Sequence, residues 1–391
     1  MKLLVITSRF PWPLEKGDKL RVYHQLKALH QFHEICLVCV SDQTVTKDDR
    51  IEAEKVCSEL HVLPISRAGI IWRAALTFLG SQPLQVNYFF TRRHRKTVYK
   101  LVEQFKPDHI FCQLIRAAEY VKHIHSVPKT LDYMDAFSKG IERQAQVAPW
   151  YLKLIWTAEA NRLIAYENLI YEYFEHHVII SEQDQQLIPH PKRSEIHVIP
   201  NGVDSDFFSP RKAEKEYDVV FVGNMNYTPN ADCAVHLIKN IMPHVWAKKP
   251  EVRVLIAGAE PSAAVRKLAG DQVTISGWVE DIRDAYACGK LFAAPLQIGT
   301  GLQNKLLEAM SMSIPCVTSS LANNALQAPS SAIAVRDDDH GFAEMIIEIL
   351  DSQELQSSLG TKGRSFVRSK YSWQATGDML SNIFTSTKAT V

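Results

Sequence analysis

Residues 299–320 read GTGLQNKLLEAMSMSIPCVTSS, and their pattern gives the first predictions about the fold and function of the chain. Two glycines lead into a short helical pattern whose apolar face holds Leu306, Leu307 and Met310, and a small apolar strand follows Pro315. The unpaired amide groups and the dipole of a helix N-terminus both favour an anion. The stretch therefore predicts a phosphate site at the edge of a sheet.

Lys305 and Glu308 add polar chemistry to this predicted helix. If Asn304 is the N-cap, Lys305 lies in the first turn, where its charge opposes the helix dipole by roughly 0.3–1 kcal/mol. A bound anion is then expected beside it. A capping box made by Thr300 and Gln303 is the alternative, and it would move the helix start and weaken this argument. Glu308, one turn further on, can accept two hydroxyl hydrogen bonds from a ribose.

Length and composition limit the class of protein. The chain has 391 residues, enough for two domains with separate cores, and a net charge of +1 argues against nucleic acid as a partner. No segment approaches the roughly 18 uninterrupted apolar residues of a membrane span. Residues 1–7 are too short for the apolar core of a signal peptide and predict a first strand.

The seven cysteines are scattered along the chain. Cys36 and Cys39 are the nearest pair, and both fall in a predicted strand that would point their side chains to opposite faces. We therefore expect buried thiols and no redox or zinc pair. This usage fits a reducing cytoplasm.

Apolar segments alternate with helical patterns along most of the chain. This alternation predicts an α/β fold of two doubly wound, Rossmann-like domains with parallel sheets. A run of turn residues, Pro200-Asn201-Gly202, and the charged residues 211–216 predict a linker. The strands are predicted at 2–6, 34–40, 59–62, 109–112, 129–131, 177–180, 218–222, 253–257 and 291–295.

Residues 299–320 resemble the nucleotide-sugar site of glycosyltransferase family 4, a group of retaining, two-domain GT-B enzymes. The positions that match the family pattern are Glu308, Ala309, Met310, Pro315 and Val317. Thr300 stands where the family has a first glutamate, so the resemblance does not imply the contact that this glutamate makes with the donor sugar. The resemblance implies domains at 1–198 and 217–370 facing a cleft, a hinge at 199–216, and a C-terminal helix at 371–391 that crosses back to the first domain.

The opening of the chain resembles the sugar transferases of exopolysaccharide and exosortase systems, whose Gly-Asp-Lys element corresponds to residues 17–19. This resemblance implies that Gly17 lets the backbone approach the donor, and that Asp18 and Arg21 face the cleft. A turn glycine and an ordinary helix N-terminal acid are the alternatives for the first two. Asp135 follows a predicted strand within Asp132-x-x-Asp135-x-x-Ser138, and we expect it to contact the acceptor hydroxyl or the donor sugar; a loop or capping acid is its alternative.

The loop that follows the first strand of the second domain begins at Gly223 and Asn224. It lacks the arginine and lysine that family 4 usually places there, so the amides after Gly223 and the Lys305 side chain are expected to neutralise the diphosphate. The turn at Gly277, Trp278 and Val279 resembles the family segment whose backbone reads the nucleobase. The expected catalytic residues are Asp135, Lys305 and Asp18, and the expected donor-binding residues are Gly17, Arg21, Gly223, Asn224, Gly277, Trp278, Val279, Thr300, Gly301, Leu302, Asn304, Lys305 and Glu308.

One segment raises the question of a membrane. Within residues 65–99, Tyr88-Phe89-Phe90 precedes a basic run at 92–96, which predicts a site for an anionic membrane or a lipid-linked acceptor. The alternative is a core helix beside a solvated basic helix start. The aromatic-rich helical stretch 149–174 is expected to serve mostly as core and interdomain packing.

The resemblance implies transfer of a sugar from a nucleotide diphosphate to a hydroxyl, with retention and with no required metal or cofactor. We expect a UDP-sugar in preference to a GDP-sugar, and a glycan or lipid-linked acceptor. The expected location is the cytoplasm, with peripheral contact at the inner membrane. One rival is a GT-B epimerase or sugar-phosphate synthase. The other is a catalytically silent binding subunit, which Thr300 and the incomplete Gly223 loop favour.

Overall fold

The computed structural model describes residues 1–14, 16–66, 80–298 and 302–386. The chain divides into two compact units. The first consists of Met1–Gly202 and Trp373–Val391, and the second of Val203–Ser372.

The first unit is built on a seven-stranded sheet in the order β3-β2-β1-β4-β5-β6-β7, with every neighbouring pair parallel. The strand order reverses between β1 and β4, and in open α/β sheets ligands bind outside the carboxyl ends of the strands at such a point. The strands are β1 (Lys2–Thr7), β2 (Glu34–Ser41), β3 (Glu59–Pro64), β4 (His109–Gln113), β5 (Lys129–Asp132), β6 (His176–Ile179) and β7 (His197–Val198).

Helices connect these strands and cover both faces of the sheet. A 3₁₀ helix at Ile115–Tyr120 directly follows β4, and another lies at Arg193–Glu195. The α-helices are α1 (Gly17–Leu29), α2 (Lys47–Glu54), α3 (Leu84–Phe89), α4 (Arg92–Phe105), α5 (Phe137–Val147), α6 (Trp150–Tyr171) and α7 (Glu182–Leu187).

The two faces of the first sheet pack into separate apolar clusters, as strands buried on both sides require. Cys36 belongs to one cluster and Cys39 to the other. Burial raises the pKa of each thiol to about 12. The prediction of buried thiols on opposite faces of one strand is confirmed.

The second unit is built on a six-stranded sheet in the order β10-β9-β8-β11-β12-β13, again parallel throughout. Its strands are β8 (Tyr217–Val222), β9 (Val254–Ala257), β10 (Val273–Gly277), β11 (Gly289–Ala294), β12 (Cys316–Thr318) and β13 (Ala334–Val335). Its helices are α8 (Thr228–His236), α9 (Met242–Lys248), α10 (Ala263–Arg266), α11 (Ile282–Ala287), α12 (Asn304–Ser311), α13 (Ser320–Leu326), α14 (Asp339–Asp351) and α15 (Gln353–Lys370), with a π-helical turn at Leu237–Ile241 between α8 and α9.

The last helix, α16 (Trp373–Ser386), belongs to the first unit and packs on α1. Trp373 stacks on His24 with ring centroids 4.9 Å apart, and Gly377 lies so close to Ala28 that an added Cβ would come within 2.5 Å of the alanine Cβ. The α/β fold class with two doubly wound sheets is confirmed.

Candidate functional site

An open cavity of about 410 Å³ lies in the second unit at the carboxyl ends of β8, β9 and β10. This is the edge of a parallel sheet where ligands bind. Six of the residues expected to bind a donor line it, and further residues complete the wall. The lining residues are Val222, Gly223, Asn224, Asn230, Gly258, Ala259, Trp278, Val279, Ile282, Tyr286, Lys305 and Glu308.

One wall of the cavity is a close contact between two backbone turns. Gly258 has φ +141°, and a Cβ there would lie 1.7 Å from the carbonyl oxygen of Gly223. The Gly223 amide donates to the Ala257 carbonyl at 3.0 Å, and the Met225 amide donates to the Ala259 carbonyl at 2.9 Å. Only glycine therefore fits at position 258. The two hydrogen bonds hold the loop after β8 against the end of β9.

The expectation that several amides after Gly223 face a diphosphate needs correction. The Met225 amide is bonded to Ala259, and the Asn226 amide donates to the Asn224 side chain at 2.9 Å. Among the described residues, the Asn224 amide is the one in residues 223–227 that has no acceptor. The loop therefore offers one free backbone donor, which leaves more of the charge neutralisation to Lys305.

The helix that carries Lys305 begins at Asn304, one residue earlier than an Asn304 cap predicts. Its N-cap is Gln303, whose side chain makes no capping hydrogen bond, so the predictions of an Asn304 cap and of a capping box with Gln303 inside the helix are both wrong. Lys305 does lie in the first turn. Thr300 and Gly301 lie outside the described residues. A first turn with no side-chain cap has amide groups available for an anion.

The Lys305 ammonium is held by two side-chain oxygens. It donates to Asn230 Oδ1 at 2.7 Å and to Gln303 Oε1 at 3.0 Å, and burial lowers its pKa. Asn230 in turn donates from Nδ2 to the Asn224 carbonyl at 2.9 Å. Asn230 thus connects the Lys305 side chain to the loop that begins at Gly223.

Asn230 is not among the site residues that the sequence predicted. Its only sequence signal was its place at the end of the loop 223–230, where an asparagine next to a proline is equally typical of a turn. Burial is what distinguishes it, because the residue is 6% exposed and both polar atoms of its amide are bonded.

Glu308 lies one turn after Lys305 and also faces the cavity. The Tyr286 hydroxyl donates to its Oε2 at 2.6 Å, and among the described residues its Oε1 has no donor. Burial raises the pKa of Glu308, against the opposing effects of the Tyr286 hydrogen bond and the Lys305 charge. The carboxylate is thus oriented by Tyr286, which the sequence did not reveal, and keeps one oxygen free for a hydroxyl donor.

The remaining donor-binding expectations separate into two groups. Trp278 and Val279 line the cavity, and the Trp278 side chain is 72% exposed, so its ring is available to a planar ligand. Gly277 has φ +68° and its carbonyl accepts the Gly258 amide at 2.9 Å, which makes it a turn residue behind the wall. Leu302 packs against the core, and Asn304 is exposed outside the cavity lining.

In the first unit, Gly17 opens α1 and Asp18 follows it. The Asp18 carboxylate pairs with Arg9 at 2.7 Å. A Cβ added at Gly17 would meet no atom of the described chain within 4 Å, so packing does not explain the glycine. These two residues and Arg9 stand beside the carboxyl end of β1, where the strand order of the sheet reverses.

Asp135 follows β5 and carries an exposed carboxylate in a crowded setting. The surrounding protein raises the pKa of Asp135 to about 6 by desolvation, and the charge of Asp184 adds to this while Arg116 opposes it. A carboxylate with a pKa near neutrality is suited to accept a proton or a hydrogen bond from a hydroxyl.

Arg21 does not face a ligand, which corrects the expectation for it. Its side chain is fully buried, and its Nε donates to Asp132 Oδ2 at 2.8 Å. The other two nitrogens donate to the Asn201 side chain at 2.9 Å and to the Ile199 carbonyl at 3.0 Å. Because a buried charge must be paired and hydrogen-bonded, this network fastens the end of β5 to the chain after β7.

The expectation that the aromatic residues within 65–99 contact a membrane or a lipid-linked acceptor is also corrected. Phe89 is buried, and the Tyr88 hydroxyl donates to Asp42 at 2.7 Å, so these rings belong to the unit itself. The apolar stretch at 70–79 lies outside the described residues. The exposed apolar side chains are instead at the start of α6, where Trp150 is 85% exposed and Leu154 is 81% exposed. The expectation that 149–174 is mostly packing is therefore wrong for the first two turns of α6.

Comparison with known proteins agrees with this geometry. Residues 216–352 match the family described as Glycosyl transferases group 1. An uncharacterized 44.6 kDa protein in the cps region of Klebsiella pneumoniae is 22% identical over 398 residues, which cover 95% of this chain and 96% of that protein. The family match indicates a glycosyltransferase and includes all twelve residues that line the cavity.

A second relative is the GDP-mannose-dependent monoacylated alpha-(1-6)-phosphatidylinositol monomannoside mannosyltransferase of Corynebacterium glutamicum. It is 28% identical over 211 residues, which cover 48% of this chain and 55% of that protein, so the match spans about half of its length. Among solved structures, Anabaena HepE in complex with UDP has a TM-score of 0.66 at 13% identity and covers 99% of this chain and 100% of that chain. This likeness shows the GT-B fold.

Lys305→Ala should lower turnover of the donor by about 10²–10³-fold, as expected when one preorganised charge-stabilising donor is removed. Asn230→Ala should lower it in the same direction by a smaller factor, since the ammonium keeps its charge and loses one partner. Release of nucleoside diphosphate from the donor is the measurement. Lys239→Ala, which removes an exposed lysine of the same unit, is the matched control. Near-normal turnover by a folded Lys305→Ala protein would contradict this role.

Proposed function

We propose that this glycosyltransferase moves a sugar from a nucleotide diphosphate to a hydroxyl group, with retention of configuration at the anomeric carbon. The observation that carries the proposal is the cavity of the second unit, where Lys305 and the uncapped first turn of α12 stand one helical turn from Glu308. A cation beside free amides suits a diphosphate, and a carboxylate suits a ribose. Retention rests on the resemblance to family 4.

The same geometry suggests how bond cleavage is assisted. When the glycosidic bond to the diphosphate breaks, negative charge grows on the leaving oxygen. Lys305, already stripped of water and held by Asn230, stabilises that charge more than it stabilises the intact donor. The Asn224 amide and the first amides of α12 add to this effect.

The donor is proposed to be a UDP-sugar. The solved HepE structure contains UDP, which supports this choice, whereas the relative from Corynebacterium is named for GDP-mannose. The nucleobase would stack on the exposed Trp278 ring and bond to the backbone around Val279. No metal or further cofactor is included in the proposal, because Lys305 and the amide groups supply the positive charge.

The acceptor is proposed to be a glycan or a lipid-linked precursor of a polysaccharide, bound by the first unit. Asp135 lies just after the carboxyl end of β5, and its raised pKa suits contact with the acceptor hydroxyl. The Klebsiella relative from a cps region and the phosphatidylinositol mannoside transferase support an acceptor of this class.

Peripheral contact with the cytoplasmic face of a membrane is also proposed. Within the described residues, no helix is long and apolar enough to cross a bilayer. The start of α6 instead exposes Trp150, Tyr151 and Leu154, with the exposed Lys153 among them. Tryptophan and tyrosine favour the membrane interface, and the lysine favours anionic headgroups.

A thermal-shift titration with UDP, GDP, ADP and CDP tests the donor site. A nucleotide at about 100 times its dissociation constant should add ~2.7 kcal/mol to the stability of the folded state. We expect UDP to stabilise the wild type and Glu308→Ala to abolish the effect. Glu251→Ala, an exposed glutamate of the same unit, is the control and should behave as wild type. If none of the four nucleotides raises the melting temperature of the wild-type protein, the result would count against the donor site and favour a catalytically silent subunit.

The pH dependence of kcat/KM tests Asp135. Because the carboxylate form accepts the hydroxyl hydrogen bond, activity should fall as the pH is lowered through about 6, where Asp135 takes up a proton. Asp184→Asn removes a negative charge that raises this pKa, so the acid limb should move to lower pH. Asp135→Asn should abolish the limb and lower activity at all pH values. An acid limb unchanged by both substitutions would exclude the role.

Co-sedimentation with vesicles tests the membrane contact. Vesicles with anionic phosphatidylglycerol should bind the protein more than neutral phosphatidylcholine vesicles do, and the Trp150→Ser/Leu154→Ser variant should lose most of this binding. Phe32→Ser, at an exposed phenylalanine outside α6, is the matched control. Equal binding by the double variant and the wild type would remove α6 from the proposal.

A further inference from the structure

Arg116 is a charged residue of the first unit to which neither the proposed donor site nor the proposed acceptor contact gives a role. It lies in the 3₁₀ helix that directly follows β4. Its guanidinium stands over the Phe137 ring at 4.8 Å and the Phe89 ring at 5.7 Å. Two of its nitrogens, Nε and Nη1, are buried and have no hydrogen-bond partner within the part of the chain that the structure describes.

This situation differs from that of Arg21 in the same unit. Arg21 is fully buried, and its three nitrogens all reach acceptors. Arginine keeps its charge in proteins, and a buried charge without acceptors is costly, so structures retain such a group where something else pairs with it. Arg116 is half-buried as a residue, so part of its side chain reaches solvent although Nε and Nη1 are covered.

The charged groups near Arg116 do not pair with it. Asp18, Asp42 and Asp135 attract its charge and Arg9 repels it. However, Asp18 is paired with Arg9 at 2.7 Å, and Asp42 accepts the Tyr88 hydroxyl at 2.7 Å. Among the described residues, Arg116 makes no ion pair within 4 Å with Asp135 or any other carboxylate.

The position of Arg116 in the fold is that of a ligand contact. It follows β4, Arg9 follows β1, and Asp135 follows β5, so all three stand at the carboxyl ends of adjacent strands. The strand order reverses between β1 and β4, which is where open α/β sheets hold their ligands. An open carboxylate and an unpartnered guanidinium therefore share one edge.

We propose that Arg116 binds an oxyanion carried by the acceptor, a phosphate or a carboxylate, beside the hydroxyl that Asp135 contacts. The proposal rests on the proposed function, because it assigns the acceptor to the first unit and adds that the acceptor is anionic. A guanidinium pairs with phosphate and carboxylate oxygens through strong charge-assisted hydrogen bonds. The two aromatic rings fix its plane before the ligand arrives.

NMR of the arginine Nε–H groups tests the proposal on the full chain. The Arg116 resonance is identified by its absence from Arg116→Lys, and that of the exposed Arg143 by its absence from Arg143→Lys. Inorganic phosphate and glucuronate are titrated separately into a Lys305→Ala background, which removes the expected phosphate site of the second unit. The Arg116 resonance should shift saturably with one probe, while that of Arg143 shifts weakly without saturation.

The outcomes separate the sources of the oxyanion. Saturation by phosphate alone supports a phosphate-bearing acceptor, and saturation by glucuronate alone supports an acidic sugar. If neither probe shifts the Arg116 resonance, or if Arg143 responds equally, the proposal is overturned. Nucleotide binding to the wild type is measured independently, so failure at Arg116 is distinguishable from failure of the donor site.

Discussion

The hydrogen bond from the Lys305 ammonium to the Asn230 side chain is the constraint on which the site of the second unit depends. It connects the first turn of α12 to the first turn of α8, and the two residues are 75 apart in sequence. The ammonium loses water when it is placed there, which lowers its pKa, and the amide oxygen partly replaces that water. A desolvated cation that is held in place strongly stabilises negative charge that develops beside it.

The rest of the cavity supports this contact. The close approach of Gly223 and Gly258 positions the loop whose carbonyl at Asn224 holds Asn230. On the other side of Lys305, the Tyr286 hydroxyl orients Glu308, and burial raises the pKa of that carboxyl. Each polar side chain that faces the cavity is thus fixed by a second residue, which is how a preorganised site is maintained.

In the first unit, the charged side chains differ in whether a second residue pairs with them. Arg21 and Asp132 form a fully buried pair that joins α1 to the end of β5, whereas Asp135 and Arg116 have no such partner among the described residues. Charged residues that are paired inside the fold maintain its shape, and those left unpaired at the sheet edge are available to a ligand. The contrast between the two arginines carries the assignment of the acceptor edge.

Much of this was predictable from sequence, because parallel strands buried on both faces leave long apolar segments and a helix start beside glycines leaves a local pattern. The two sheets and the positions of Lys305 and Glu308 on one short helix follow from such patterns, whereas the site positions of Gly223 and Trp278 were implied by the resemblance to family 4. The burial of Arg21 and the roles of Asn230 and Tyr286 depend on contacts between distant segments, which no local pattern records. The exposed start of α6 was missed for a related reason, since an apolar face looks the same whether or not another surface covers it.

A crystal structure of the full chain with bound UDP shows whether Lys305 and Glu308 hold the donor. The diphosphate should lie within hydrogen-bond distance of Lys305 Nζ and the first amides of α12, and a ribose hydroxyl should donate to Glu308. A diphosphate bound elsewhere on the chain, with the Lys305 to Asn230 contact undisturbed and no ligand atom near Glu308, would contradict these roles.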